Sequence, residues 1–125
     1  MDCKICYSLI VLVVALSLVY SSSAIPAKAF FYTVYVPSAC YKNQTQGNFV
    51  ASVGDSLWNN GAICGKMLKV KCIAIPQGCL GSGMVTVKVV DHCIDCNYPI
   101  ELSYDAFKSI GDIGAAVMDI DYQVL

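Results

Sequence analysis

The chain has 125 residues, with eight lysines, no arginine, nine acidic residues and a formal net charge of −1. This length allows one domain. The near-neutral balance without arginine argues against nucleic acid and phosphate, whose recognition usually needs clustered lysine and arginine side chains. An uncharged ligand such as a polysaccharide fits the eight tyrosines better, because sugars are held by hydrogen bonds and aromatic faces.

The first 24 residues are typical of a secretory signal peptide. Lys4 lies in a short N-terminal region, an apolar run spans residues 9–19, and small residues end the segment at Ala24. The apolar run is shorter than the ~20 residues of a membrane-spanning helix, so a cleaved signal is favoured over an anchor. We therefore expect a secreted, extracellular chain without a membrane span, with one domain over residues 25–125.

The first element of this domain is predicted to be a strand over residues 28–36, which are rich in aromatic and β-branched side chains. The polar residues 41–47 then predict an exposed loop. This loop contains an N-glycosylation sequon that begins at Asn43. In an exported chain we expect Asn43 to be glycosylated, with an unmodified surface asparagine as the alternative.

Residues 53–61 predict a short helical turn. Asp55 or Ser56 is a candidate N-cap, and Gly61 suits a left-handed C-cap. Trp58 lies within this turn. Because large aromatic side chains are usually buried, we expect Trp58 to point inward, and a platform for sugar binding is the alternative.

Two alternating segments predict strands that each have one buried face. Lys69 and Lys71 alternate with apolar residues in residues 67–75, and Thr86 and Lys88 alternate with valines in residues 84–90. Residues 78–83 predict a turn between them.

A helical pattern follows these strands. Ser103 can cap a helix that has Asp105 in its first turn. Apolar residues then recur at helical spacing: Leu102, Ala106, Phe107 and Ile110. Residues 116–125 predict a last strand, and no repeat or linker interrupts the segment, so we expect one compact α+β or mostly β unit.

Six cysteines remain after removal of the signal segment. In an exported chain their even number predicts three disulfides, although spacing alone leaves their pairing open. The CxxC pair Cys93 and Cys96 also allows a metal half-site or a redox couple. Neither is favoured, because there is no second CxxC and export favours a structural bond, so we expect no metal and no cofactor. The six residues are Cys40, Cys64, Cys72, Cys79, Cys93 and Cys96.

Four motifs in order resemble the plant natriuretic peptide-like branch of the expansin superfamily, whose members contain an endoglucanase-45-like domain. They are FFYTVYVPSACY (residues 30–41), SLWNNGAICGKMLKVKC (56–72), VTVKVVDHC (85–93), and IELSYDAFKSI followed by MDIDYQV (100–124). The resemblance implies a mostly β fold: a six-stranded, disulfide-stapled double-psi β-barrel with short helices and a surface groove. It also implies disulfides in sequence order: Cys40 with Cys64, Cys72 with Cys79, and Cys93 with Cys96.

The resemblance also bears on catalysis. Related inverting endoglucanases use two carboxylates, one to protonate the leaving oxygen and one to activate water. The family's base follows an aromatic pair in the first strand, and here Thr33 follows Phe31-Tyr32. A threonine hydroxyl cannot act as a carboxylate base. Asp91 and Glu101 match groove carboxylates of expansins, which loosen walls without hydrolysis, so we predict a vestigial groove and no enzyme activity.

Each groove carboxylate has a structural alternative. Asp91 could accept backbone N–H groups at a turn, and Glu101 could be an acidic residue in the first turn of the helix. The candidates for carbohydrate binding are Tyr32, Trp58 and Asp91.

Two functions follow from the resemblance. The first is a non-catalytic, natriuretic peptide-like protein of the apoplast that acts in water and solute homeostasis or stress signalling as a monomer, with a cell-surface receptor as partner. The alternative is a polysaccharide-binding, cell-wall-modifying protein without hydrolase activity. The absence of the C-terminal polysaccharide-binding module of two-domain expansins favours the first.

Overall fold

The computed structural model describes residues 24–74 and 78–125, which contain six strands and two short α-helices. The prediction of a signal peptide over residues 1–24 lies outside these residues, apart from Ala24. The strands are β1 (Ile25–Tyr32), β2 (Val50–Val53), β3 (Met67–Cys72), β4 (Met84–His92), β5 (Ile100–Ser103) and β6 (Val117–Val124). The helices are α1 (Asp55–Trp58) and α2 (Tyr104–Ile110), each followed by a 3-10 segment, Asn59–Gly61 and Ile113–Ala115.

The six strands close into a barrel in the order β1-β5-β2-β4-β3-β6. Two of the pairs, β1 with β5 and β2 with β4, are parallel, and the other strand pairs are antiparallel. This confirms the predicted six-stranded barrel. No helix among the described residues has the length and apolar character needed to cross a membrane.

The predicted alternation is confirmed in β3, although this strand ends at Cys72 instead of extending through residue 74, and residue 75 lies outside the described residues; β4 continues two residues past its predicted end, to His92. Leu68 and Val70 are fully buried, whereas Lys69 and Lys71 are exposed. Helix α2 packs against the barrel, and its Phe107 ring lies 5.4 Å from the ring of Phe31. Burying such a side chain contributes roughly 1.5–3 kcal/mol. The fully buried interior residues include Leu68, Val70, Val87, Val89, Ile100, Leu102, Phe107, Ile110 and Ile120.

The prediction for the first strand is wrong at both ends. β1 begins at Ile25, where it pairs with Tyr122 of β6, and it ends at Tyr32, which pairs with Ser103 of β5. Strand β5 ends at Ser103, and helix α2 begins at the next residue. Residues 33–36, three of which are β-branched, therefore have no adjacent strand to pair with, and they form a loop.

Strands β2 and β5 were not predicted. Their residues are almost all buried, so neither strand shows the alternation that marks a half-exposed strand. The assignment of Leu102 to the helical pattern is therefore wrong, because Leu102 lies in β5. The predicted N-cap of the following helix is confirmed, since the Ser103 hydroxyl accepts a hydrogen bond from the Ala106 backbone N–H.

The caps predicted for the first helix are wrong. Gly54, rather than Asp55 or Ser56, is the N-cap of α1, and no side chain caps it. The Asp55 carboxylate instead contacts the ring of His92. The left-handed C-cap is Asn59, with φ 46°, whereas Gly61, with φ 85°, ends the 3-10 segment that follows.

The three disulfides have the pairing that the resemblance implied. Cys40 is joined to Cys64, Cys72 to Cys79 and Cys93 to Cys96, with Cα–Cα distances of 5.6, 5.8 and 5.6 Å. These distances lie in the usual range for disulfides. The first bond ties the loop after β1 to the segment before β3.

Candidate functional site

One row of side chains crosses the outer surface of four adjacent barrel strands. Asp91 of β4 is in register with Ser52 of β2, Ser52 with Glu101 of β5, and Glu101 with Phe30 of β1. Register partners point to the same side of a sheet. We call this row, with Tyr32 further along β1, the carboxylate groove. The structure thus brings together Asp91, Glu101 and Tyr32 of the predicted site.

Asp91 is held in place by backbone donors. Its Oδ1 accepts hydrogen bonds from the N–H groups of Ala39 and His92, both at 2.9 Å. The structural alternative for Asp91 is therefore confirmed. A register shift between Ala51 and Ser52 adds one residue to β4 and aligns Asp91 with Ser52. Asp91 consequently joins the loop after β1 to the groove.

Glu101 is a half-buried carboxylate in β5, so its interpretation as a first-turn acid of α2 is wrong. Burial raises its pKa above the usual glutamate value, and the nearby charge of Asp91 raises it further. A hydrogen bond from the Ser52 hydroxyl opposes this shift. Sequence reasoning missed Ser52, which is a buried serine in a strand that has no alternation.

Tyr32 faces both carboxylates. Its hydroxyl oxygen is buried and has no hydrogen-bond partner among the residues that the structure describes. Burial raises its pKa far above the usual tyrosine value, and the charges of Asp91 and Glu101 act in the same direction. The Tyr32 ring contacts the ring of Tyr35 at 5.1 Å, and the Tyr35 hydroxyl accepts a hydrogen bond from the Tyr104 N–H. Tyr32 therefore stays neutral, so its hydroxyl can donate a hydrogen bond but cannot act as a base.

Thr33 lies one residue beyond the end of β1 and is exposed. It lines a cavity of about 500 Å³ between the first and last parts of the loop that joins β1 to β2. We call this the loop cavity. Two of its lining residues, Thr33 and Val90, are the chain neighbours of the groove residues Tyr32 and Asp91. Its lining is entirely uncharged: Thr33, Val34, Tyr35, Val36, Ser38, Gln44, Thr45, Gln46, Gly47, Asn48, Val50 and Val90.

Trp58, His92 and Asp55 form a cluster at the end of the groove. The Trp58 and His92 rings are stacked, with centroids 4.5 Å apart and planes 4° from parallel. Asp55 Oδ1 lies 2.7 Å from His92 Nε2. Trp58 is half-buried and packs against the edge of the core, so it points partly inward. No local sequence pattern indicates this cluster, because 37 residues separate Asp55 from His92.

The Cys93–Cys96 disulfide borders the groove. Both of its sulfur atoms and a carboxylate oxygen of Glu101 lie within 4.8 Å of one another. This is the one group of three such ligand atoms within residues 24–74 and 78–125. Because both sulfurs are bonded to each other, neither is a thiolate that could hold a metal ion.

Asn43 is exposed in a turn of the loop after β1. The next two residues of its sequon, Gln44 and Thr45, line the loop cavity. The side chain is thus accessible, and its glycosylation stays a prediction.

Comparison with known proteins finds relatives in plants. A family model described as lytic transglycolase matches residues 50–122. An EG45-like domain containing protein of Arabidopsis thaliana is 43% identical over 106 residues, which cover 81% of this chain and 84% of that protein. The EG45-like domain containing protein of Citrus jambhiri is 38% identical over 122 residues, which cover 91% of this chain and 92% of the relative.

Solved structures of a bacterial expansin have the same barrel. The apo expansin of Clavibacter michiganensis aligns with a TM-score of 0.68 at 24% identity. A mutant of that expansin in complex with cellohexaose aligns with a TM-score of 0.65 at 23% identity. Each alignment covers 82% of this chain and 50% of the expansin, so the chain spans half of that protein's length. The fold is therefore the double-psi β-barrel of expansins.

Proposed function

The chain belongs to the EG45-like family of the expansin superfamily, and from that premise we propose that it is a secreted, non-hydrolytic protein that binds cell-wall polysaccharide along the carboxylate groove. The observation that carries this proposal is the pair of partly exposed carboxylates, Asp91 and Glu101, aligned across β4, β2 and β5 on either side of Ser52. Carboxylates accept hydrogen bonds from sugar hydroxyls, and neutral polar linings suit uncharged ligands. The complex of the Clavibacter expansin with cellohexaose points to the same class of ligand.

Several features argue against hydrolysis. A general base must take a proton from water. Tyr32, which faces the carboxylates, is neutral, and Thr33 is a hydroxyl residue beyond the strand. Oδ1 of Asp91 already accepts two backbone hydrogen bonds. Burial raises the pKa of Glu101, so at a given pH a smaller fraction of it than of an ordinary glutamate is in the ionised form that a general base requires. The groove is therefore suited to holding a sugar chain rather than cleaving it.

A second candidate is a natriuretic peptide-like role in water and solute homeostasis or stress signalling. It is supported by the match to the EG45-like relatives over 84% and 92% of their length. In this role the monomeric protein is recognised by a cell-surface receptor. Export by residues 1–24, a domain over residues 25–125 and glycosylation of Asn43 belong to both proposals.

Binding to wall polymers distinguishes the candidates. The secreted protein is incubated with cellulose and with soluble β-glucan, and both retention and released sugar are measured. We expect retention without released sugar. The double variant Asp91→Asn and Glu101→Gln should bind about tenfold more weakly, a loss of ~1.4 kcal/mol.

The matched control is Asp121→Asn, which also removes a negative charge but lies on β6, away from the groove. It should bind like the unmodified protein. If the correctly folded protein is not retained on any polymer, the groove proposal fails and the signalling candidate gains support. Release of sugar would instead overturn the non-hydrolytic assignment.

A further inference from the structure

The Cys93–Cys96 disulfide is the one described disulfide that faces a carboxylic acid. The sulfurs lie in the loop after β4, whereas Glu101 projects from β5, and these ligand atoms lie within 4.8 Å of one another. Nothing in the sequence pattern favours redox chemistry at this CxxC. The position of Glu101 supplies one, because a proton donor beside a disulfide assists its cleavage.

The loop that carries this disulfide is open to solvent. Ile94, between the two cysteines, is 70% exposed. Cys96 lines an open depression of about 360 Å³ next to α1 and Tyr98. A small thiol can therefore approach Cys96 from solvent, with Cys93 and Glu101 behind it.

The fold depends least on this disulfide. The stabilisation from a disulfide grows with the length of the loop that it closes. The sequence separations are 24 for Cys40–Cys64, 7 for Cys72–Cys79 and 3 for Cys93–Cys96. In addition, the Cys93 N–H donates a hydrogen bond to the Val53 carbonyl at 2.8 Å, which holds the loop to β2 when the disulfide is open.

We propose that Cys93–Cys96 is a thiol–disulfide exchange site for small monothiols of the glutathione type, with Glu101 as the proton donor. This activity is separate from polysaccharide binding. In the first step the thiolate of the small molecule attacks Sγ of Cys96 and forms a mixed disulfide. The bond between the two protein sulfurs breaks, its electron pair goes to Cys93, and the Glu101 carboxyl gives Cys93 a proton.

A second small thiol completes the exchange. Its thiolate attacks the sulfur of the small molecule in the mixed disulfide and releases Cys96 as a thiolate. The protein disulfide is thereby reduced by two electrons, and two monothiols are oxidised to one disulfide. Solvent returns a proton to Glu101. Run in reverse, the same steps oxidise the dithiol.

The surroundings of Glu101 keep it protonated to a higher pH than an ordinary glutamate, because burial and the charge of Asp91 raise its pKa. Tyr32 on β1 also faces Glu101, and Ser52 on β2 donates a hydrogen bond to it. No lysine forms an ion pair with Glu101 in the part of the chain that the structure describes. Asp95 lies within the CxxC loop itself, and its backbone N–H donates a hydrogen bond to Asp55 Oδ2 at 3.4 Å.

The test follows the reduction of each disulfide in the full protein with glutathione. Aliquots are alkylated, and the modified cysteines are identified by mass spectrometry at several pH values and a constant concentration of glutathione thiolate. We expect Cys93–Cys96 to be reduced first, at a rate that falls as pH rises and Glu101 loses its proton. Glu101→Gln should lower this rate about tenfold and flatten its pH dependence.

Two further variants complete the test. Asp121→Asn removes a charge far from the loop and should leave the rate and its pH dependence unchanged. Glu101→Asp keeps the acid but shortens the side chain, so an intermediate rate is expected, and this variant carries the test if Glu101→Gln does not fold. An unchanged or faster rate in both Glu101 variants overturns the proposal, as does earlier reduction of either other disulfide.

Discussion

Charged side chains differ in burial and in ion pairing between two faces of the barrel. In the carboxylate groove, Glu101 is half-buried beside Asp91, and no cation is paired with either residue among those described. On the opposite face, formed by β3, β6 and the start of β1, Lys28 and Asp119 form an ion pair at 2.6 Å whose side chains are 54% and 52% exposed. We call this second surface the lysine face, with Lys69 and Lys71 at its centre. The partly buried carboxylates of the groove thus have no cationic partner in the described part of the chain, whereas the ion pair of the lysine face lies where water already screens it.

The contrast between the two faces indicates which charged residues have a role beyond stability. Burying a charge without a partner costs free energy, so a half-buried carboxylate without a cation needs another explanation, and ligand binding or proton transfer provides one. Exposed ion pairs contribute little. The groove, rather than the lysine face, is therefore where substitutions should change both stability and activity.

The largest loss of stability is expected from substitution of Asp91. Asp91→Ala removes the acceptor of two backbone hydrogen bonds, from Ala39 and His92. Leaving these N–H groups unpaired should lower the free energy of unfolding by about 2 kcal/mol. Asp91→Asn keeps an oxygen acceptor and should cost much less, as measured by urea unfolding. Equal losses in the two variants would show that the charge of Asp91, rather than its hydrogen bonds, holds the loop.

A smaller effect with a defined pH dependence is expected for Glu101→Gln. The folded-state pKa of Glu101 is raised above the ordinary glutamate value of 4.5, so the folded state binds its proton more tightly than the unfolded state does. The stability linked to this proton is fully present below pH 4.5 and is lost as pH rises through the folded-state pKa.

Glutamine has no proton to lose and still accepts a hydrogen bond from Ser52. Relative to the unmodified protein, the variant should therefore gain stability as pH rises toward neutral, by no more than about 1 kcal/mol because solvent screens a half-exposed group. Urea unfolding at acidic and neutral pH measures this difference. A gain that does not change with pH would contradict the assignment of the shift to Glu101.

The two faces also differ in how much of their structure could be predicted from the sequence. Lys69 and Lys71 alternate with buried residues, so β3 was readable from its period of two. Strand β5 is buried on nearly all positions, and the helical spacing of Leu102 with Ala106 hid it. Asp91 and Glu101 came from resemblance to expansins rather than from any local pattern. The position of Ser52 in the groove follows from the pairing of β2 with β4 and β5, and the contact of Asp55 with His92 joins two distant segments. Neither can be read from a short stretch of sequence.

The smallest change in stability is expected from substitutions on the lysine face. Lys28→Ala removes the ion pair with Asp119, but both side chains are more than half exposed, so we expect no resolvable change in the urea midpoint at physiological salt. Lys69→Ala, which breaks no ion pair among the residues that the structure describes, is the matched control. A loss in Lys28→Ala that the control does not share, and that disappears at high salt, would show that the pairing of β1 with β6 depends on this ion pair. The barrel would then be held by charge on the lysine face as well as by its core.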